Sequence, residues 1–324
     1  MRRHLSTAIC LALAGLTMAP LAAASAAEAR EATTQLPRGV VPSHYDVAVT
    51  PHADKLSFDG QVTITLAVTK PTRSITLNAA DLTFSKATLT AEKGRMAFAA
   101  PTIAVDAKAQ TATFTFDHPI PAGTYRLAMT YAGKIGTQAN GIFALDYDTK
   151  AGKKRALYTQ FENSDARRFI PSWDEPNYKA TFTLTATVPT SEMAVSNMPI
   201  ASKKDLGNGM TEVHFGQSPK MSTYLLFFGL GDFERATTTA DGTEIGVITQ
   251  KGMIDQAQFA LDSSKRVLKE YNDYFGVPYP LPKLDNVAAP GQSQFFSAME
   301  NWGAIFTFEY ALLLNPHIST QLDK

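Results

Sequence analysis

The stretch GQVTITLAV, residues 60–68, decides how the chain is read. Val62, Ile64, Leu66 and Val68 alternate with Thr63 and Thr65. Strand side chains point to opposite faces in turn, so a period of two describes a strand with one apolar and one polar face. The pattern also stands upstream, where Tyr45, Val47 and Val49 alternate with Asp46 and Thr50. Further period-two runs cover residues 75–77, 111–116, 125–131, 181–188 and 210–215. Turn residues separate them, as in PAGT (121–124) and DLGNG (205–209). Many short alternating strands joined by turns predict an antiparallel β-sandwich or a large folded sheet.

The character changes after the apolar run 224–228, which ends in GLGDFE (229–234). Ile254, Ala257, Leu261, Leu268, Tyr271 and Phe275 recur at helical steps. Gly276 stands where a helix cap is expected, and Pro278 follows it. An extended Pro-rich segment, VPYPLPKLDNVAAP (277–290), comes next, and a strand is expected over 304–314. The chain therefore divides into residues 27–233, a mainly β domain, and 234–324, the incomplete start (helix plus strands) of an α+β domain.

Residues 1–26 read as a secretory signal peptide. Arg2 and Arg3 precede the apolar run 5–21, and Ala24-Ser25-Ala26 fits a cleavage site. Export to the periplasm or the extracellular space follows. The single Cys, Cys10, lies inside that apolar run, so the mature chain has no disulfide. Lys+Arg and Asp+Glu balance at 30 each, and loss of the two arginines takes the net charge from 0 to −2. Such a balance gives no electrostatic footprint for nucleic acid. No segment after the signal peptide is long and apolar enough to span a membrane.

Two segments carry unusual chemistry. YTQFENSDARRFIPSWDEPNYKATF (158–182) packs six charged residues among aromatic ones. By itself it also fits an ion-paired loop that locks two strands. FFSAMENWGAIF (295–306) places Glu300 in an otherwise apolar strand, where a carboxylate needs a partner. Together, TQFE…DARR…WDEP and SAMENWGAIF closely resemble two hallmark motifs of the zinc aminopeptidases of the aminopeptidase N type, a family that includes the leukotriene A4 hydrolases. PSHYDVAVTP…FDGQVTITL resembles the opening strands of that family.

The resemblance implies a saddle-like antiparallel β-domain followed by a thermolysin-like catalytic domain. It implies that Glu300 binds the free α-amino group of a peptide, with Glu162 as its partner and Gln160 lining the pocket for the first side chain. A peptide N-terminus has a pKa of about 7.7–8.0, so two carboxylates would favour its charged form. Ser297, Ala298 and Met299 would pair their backbone with the extended substrate, and Asn301 would support the strand. The family commonly has Gly where Ser297 stands.

The same resemblance implies zinc in the full-length enzyme, held by H-E-x-x-H and a downstream Glu. None of the six histidines (His4, His44, His52, His118, His214, His317) begins that motif. The expectation is thus the N-terminal part of a secreted zinc aminopeptidase acting on peptides with free N-termini. This chain is expected to contain no catalytic or metal-ligating residue, to bind no zinc and to be inactive alone. A metal-free β-saddle module that binds peptides or a protein partner is the alternative. A reading frame running past Lys324 into H-E-x-x-H would favour the enzyme.

Overall fold

Alternation along residues 40–68 becomes a long hairpin. Strand Val40–His52 pairs antiparallel with Ser57–Val68, with Val47 opposite Val62 and Tyr45 opposite Ile64. Val62, Ile64, Leu66 and Val68 are all buried, while the threonines between them are partly exposed. These strands sit inside an eight-stranded sheet. Its order is Ile200–Gly207, Met210–Phe215, Lys179–Pro189, Val40–His52, Ser57–Val68, Gly123–Lys134 and Thr83–Ala91, with Met221–Ser222 added beside Lys179. A computed structural model describes residues 35–93, 97–292 and 297–320 of the chain. The signal peptide and its cleavage site, Phe295, Phe296 and the last four residues lie outside them.

Two smaller sheets complete the β part. One has the order Thr72–Asn78, Thr111–Ile120, Thr102–Asp106; the other Met193–Ser196, Phe228–Gly231, Gly152–Gln160, Gly141–Thr149. A five-stranded mixed sheet is built from residue 233 onward, in the order Phe233–Ala240, Thr243–Gln250, Lys283–Ala289, Ala304–Phe308, Ala298–Met299. Thr243–Gln250 and Lys283–Ala289 run parallel, and helix Gln258–Phe275 makes the crossover between them. Parallel neighbours need such a connection. Gly276 ends the helix in the left-handed region, with φ +64°. The architecture is thus mainly β, with one long helix followed by strands. No described helix is long and apolar enough to cross a membrane.

Four details depart from the sequence reading. Val40–His52 pairs in parallel, not antiparallel, with Lys179–Pro189. More than a hundred residues separate the two strands, so no hairpin dictates their direction. The hairpin Phe233–Ala240/Thr243–Gln250 was not anticipated. Its first strand is rich in threonine and charge, with no clean apolar alternation. The last strand stops at Phe308, and Glu309–Leu312 forms a helical turn. Glu309 accepts hydrogen bonds there from Gln250 Nε2 (2.7 Å) and the Gly291 amide (2.9 Å). The helix begins at Gln258 and buries Ala260, Leu261 and Leu268, whereas Tyr271 and Phe275 are 60% and 66% exposed.

All described residues belong to one compact unit, Thr34–Lys324. Phe306 joins the five-stranded sheet to the four-stranded one. Its ring lies 5.4 Å from Tyr158, 6.0 Å from Phe143 and 6.4 Å from Phe227. Edge-to-face aromatic pairs of this kind add about 0.5–1.5 kcal/mol each beyond area burial. The contact sets the strand carrying Gln160 against the strand preceding Glu309, and so fixes the loops at their ends.

Candidate functional site

Glu162 stands two residues past the end of strand Gly152–Gln160. Phe161 is fully buried and packs 5.6 Å from Phe169, which forces the chain to turn there. The peptide after Glu162 is cis. Glu162 is exposed, while Gln160 is buried with no hydrogen-bond partner for its Oε1 among the described residues. The following loop is held by charge. Arg167 Nε donates to Asp174 Oδ2 at 2.9 Å, and Arg168 Nε donates to Asp165 at 2.8 Å. Burial lifts the Asp174 carboxyl above the usual carboxylate range, against the pull of Arg167. Trp173 is fully buried, and its amide donates to the Tyr45 hydroxyl. These residues scaffold the loop.

Glu300 follows strand Ala298–Met299, the outermost of the five-stranded sheet. That strand pairs on one side only, with Ala304–Phe308, and Ser297 and Ala298 are exposed. An edge with free backbone groups is a template for an added strand. Met299 points inward and is buried. Glu300 is exposed, and Asn301 is buried with its Oδ1 unpartnered. The turn closes through Asn301 N–H to Met299 O (2.9 Å) and Ala304 N–H to Asn301 O (3.2 Å).

Tyr224 links the two acidic residues. Its hydroxyl donates to Glu300 Oε1 at 3.2 Å. Its pKa is raised by partial burial first, then by the charge and hydrogen bond of Glu300, and by the charge of Glu162. A phenol that senses both carboxylates puts Glu162 and Glu300 around one point, although they are far apart in sequence and belong to loops of different sheets. Gln160, Glu162, Ser297, Ala298, Met299, Glu300 and Asn301 therefore fall in two adjoining loops. Within them, Glu162, Ser297, Ala298 and Glu300 are open to solvent; Gln160, Met299 and Asn301 are not.

Further residues fix these loops and were not singled out from sequence. Asn197, 2% exposed, donates through Nδ2 to Leu225 O and Trp302 O, both at 2.8 Å, and accepts from Phe227 N–H. It ties the Tyr224 turn to the Glu300 turn. Asn301 Nδ2 reaches the same Leu225 carbonyl at 3.4 Å. Gly303 N–H donates to Tyr279 Oη at 3.1 Å, and buried Lys283 donates to Gly303 O at 2.5 Å. Lys283 is paired with Asp285, which also accepts from Arg235. Tyr224 stands at the head of an apolar run, and a hydroxyl there was the one available signal, since a partly buried Tyr seeks a partner. Asn197 and Lys283 carried none. Among the described residues, His214 contacts Thr185 Oγ1 and lies in no cluster able to hold a metal ion; there is no such cluster of His, Cys, Asp and Glu.

Comparison with known proteins adds a family to this geometry. The Peptidase M1 N-terminal domain matches residues 41–225, and the Peptidase family M1 domain matches residues 259–324. The chain is 42% identical to aminopeptidase N of Acetobacter pasteurianus over 95% of its length and 85% of that protein. It is 38% identical to aminopeptidase M1-C of Oryza sativa subsp. japonica over 95% of its length, and 34% identical to human endoplasmic reticulum aminopeptidase 1 over 90%. The matches span only 34% and 31% of those two proteins.

Proposed function

The chain belongs to peptidase family M1, a family of peptide hydrolases, and on that premise we propose that it forms the amine-recognising wall of a secreted zinc aminopeptidase's cleft. Glu162 and Glu300 grip the α-ammonium of a peptide. Gln160 borders the pocket for the first side chain. The backbone of Ser297, Ala298 and Met299 pairs with the substrate, and Asn301 holds the turn in place. The full-length protein removes N-terminal residues from peptides. The observation that carries this reading is the Tyr224 hydroxyl, bonded to one carboxylate and charged upon by the other.

Two carboxylates at the closed end of a cleft do two things. They stabilise a cation through charge-assisted hydrogen bonds. They also limit cleavage to the first residue, because a longer chain would bury an uncharged peptide unit against acid. Main-chain pairing at the strand edge ignores side-chain identity and suits broad specificity.

The family implies zinc in the full enzyme. The described residues do not fit a zinc site, so no chemical step is derived through the metal. The reading is that this chain binds but does not turn over peptides. The basic, apolar and small-residue series at residues 2–26 supports export.

The test is a titration of the full chain with leucinamide and N-acetyl-leucinamide. Acetylation removes the charge and is expected to weaken binding by at least about tenfold. Glu300→Gln and Glu162→Gln should each erode that preference. Equal binding of the two ligands would sink the proposal. Zinc plus leucine p-nitroanilide should give no turnover, and hydrolysis abolished by a chelator would overturn the claim of inactivity.

A further inference from the structure

Tyr224 occupies a rigid place. It lies in the turn Thr223–Leu225, whose other two residues are buried. Thr223 Oγ1 donates to Trp173 O at 3.1 Å, and Leu225 O is fastened by Asn197 and Asn301. The backbone that carries the phenol is thus pinned to both acidic loops. The ring is only partly buried, so its hydroxyl stands at the solvent boundary beside Glu300.

The hydroxyl spends its one hydrogen on Glu300 and keeps lone pairs to accept. A primary α-ammonium has three N–H donors. Glu162 and Glu300 satisfy two. A third acceptor is needed, because an unmatched donor on a desolvated cation is costly.

We propose that Tyr224 is a specificity-determining residue whose phenol oxygen accepts the third N–H of the bound ammonium, so that the site selects primary over secondary amines. The inference rests on the amine-binding reading above and deepens it: the ligand class is peptides and amino-acid amides with an unmethylated, non-proline N-terminus. A secondary ammonium has two N–H donors and would leave the phenol facing an alkyl group. Sites built to hydrogen-bond a group reject analogues that lack it far more strongly than apolar pockets reject a change of size.

The experiment compares leucinamide, N-methyl-leucinamide and N-acetyl-leucinamide on the full chain by titration NMR, for wild type and Tyr224→Phe. Wild type should prefer leucinamide over its N-methyl form by about tenfold. Tyr224→Phe should shrink that ratio to within about twofold, while still rejecting the acetylated ligand. A merely structural role for the tyrosine would weaken all ligands together and leave the ratio intact, which would overturn the inference. So would a wild type indifferent to N-methylation, a result that needs no folded variant. If wild type instead fails to separate leucinamide from N-acetyl-leucinamide, the amine-binding reading fails first and this inference falls with it.

Discussion

Gly303→Ala should destabilise the protein more than Gly276→Ala, for a reason legible atom by atom. Both glycines have φ in the left-handed region, +76° and +64°. An L-residue there costs about 1–2 kcal/mol, offset by about 0.4–1 kcal/mol from the stiffer unfolded chain. At Gly276 a Cβ meets nothing within 4 Å, so the net loss should be about 1 kcal/mol. At Gly303 it meets the Asn197 carbonyl oxygen at 2.1 Å. That atom is backbone, so the turn must open by about 1 Å to reach an ordinary contact. Forcing such a shift in a packed site adds about 1–3 kcal/mol. The shift also strains the Asn197–Trp302 and Lys283–Gly303 hydrogen bonds, which hold the turn after Glu300. The expected total is about 2–4 kcal/mol. Urea titration measures it as a lower midpoint at unchanged slope. Leucinamide affinity should fall in Gly303→Ala and stay unchanged in Gly276→Ala. If the two variants lose stability equally, within about 0.5 kcal/mol, the close approach of Gly303 to Asn197 is wrong.

Other expectations follow from the same contacts. Asn197→Ala strands two carbonyls and the Phe227 amide in a buried place, and should cost about 2–4 kcal/mol while weakening amine preference; denaturant midpoints and the leucinamide titration check both. Asp285→Asn leaves Lys283 and Arg235 without their shared carboxylate and should cost about 3–5 kcal/mol. Adding Lys283→Met should recover part of that loss, and strict additivity in the double-mutant cycle would refute the pairing. Asp174 binds its proton more tightly folded than unfolded, because burial raises its pKa. Its contribution is therefore present in full below the unfolded value, about 3.9, and is lost as pH rises through the folded value. The stability of wild type minus that of Asp174→Asn should fall as pH rises across this window; a rising difference contradicts the assignment.

Several features were legible in the chain because they are local. The alternation over 62–68, 125–131 and 181–188 described strands whose apolar faces are buried, since the side-chain period of a strand is a property of consecutive residues. Gly276 marked its helix end for the same reason. Where local signals conflicted or were weak, the reading failed. Residues 233–240 carry too many polar side chains to announce a strand, and the apolar 309–314 bends into a turn because Glu309 is claimed by Gln250 and Gly291.

The candidate site divides along the same line. Glu162 and Glu300 drew notice in sequence as carboxylates in apolar company, and the family resemblance paired them. Their common environment is a product of tertiary structure: Tyr224 donates to a residue 76 positions away, and Asn197 to one 105 away. Sequence alone determined the strands, the helix stop and the family. Only the packed chain decided that Val40–His52 runs parallel to Lys179–Pro189, that Phe306 presses two sheets together, and that a tyrosine stands between two acids. The physical reason is range: backbone periodicity is set by neighbours, whereas the meeting of distant loops is set by which buried faces fill one another.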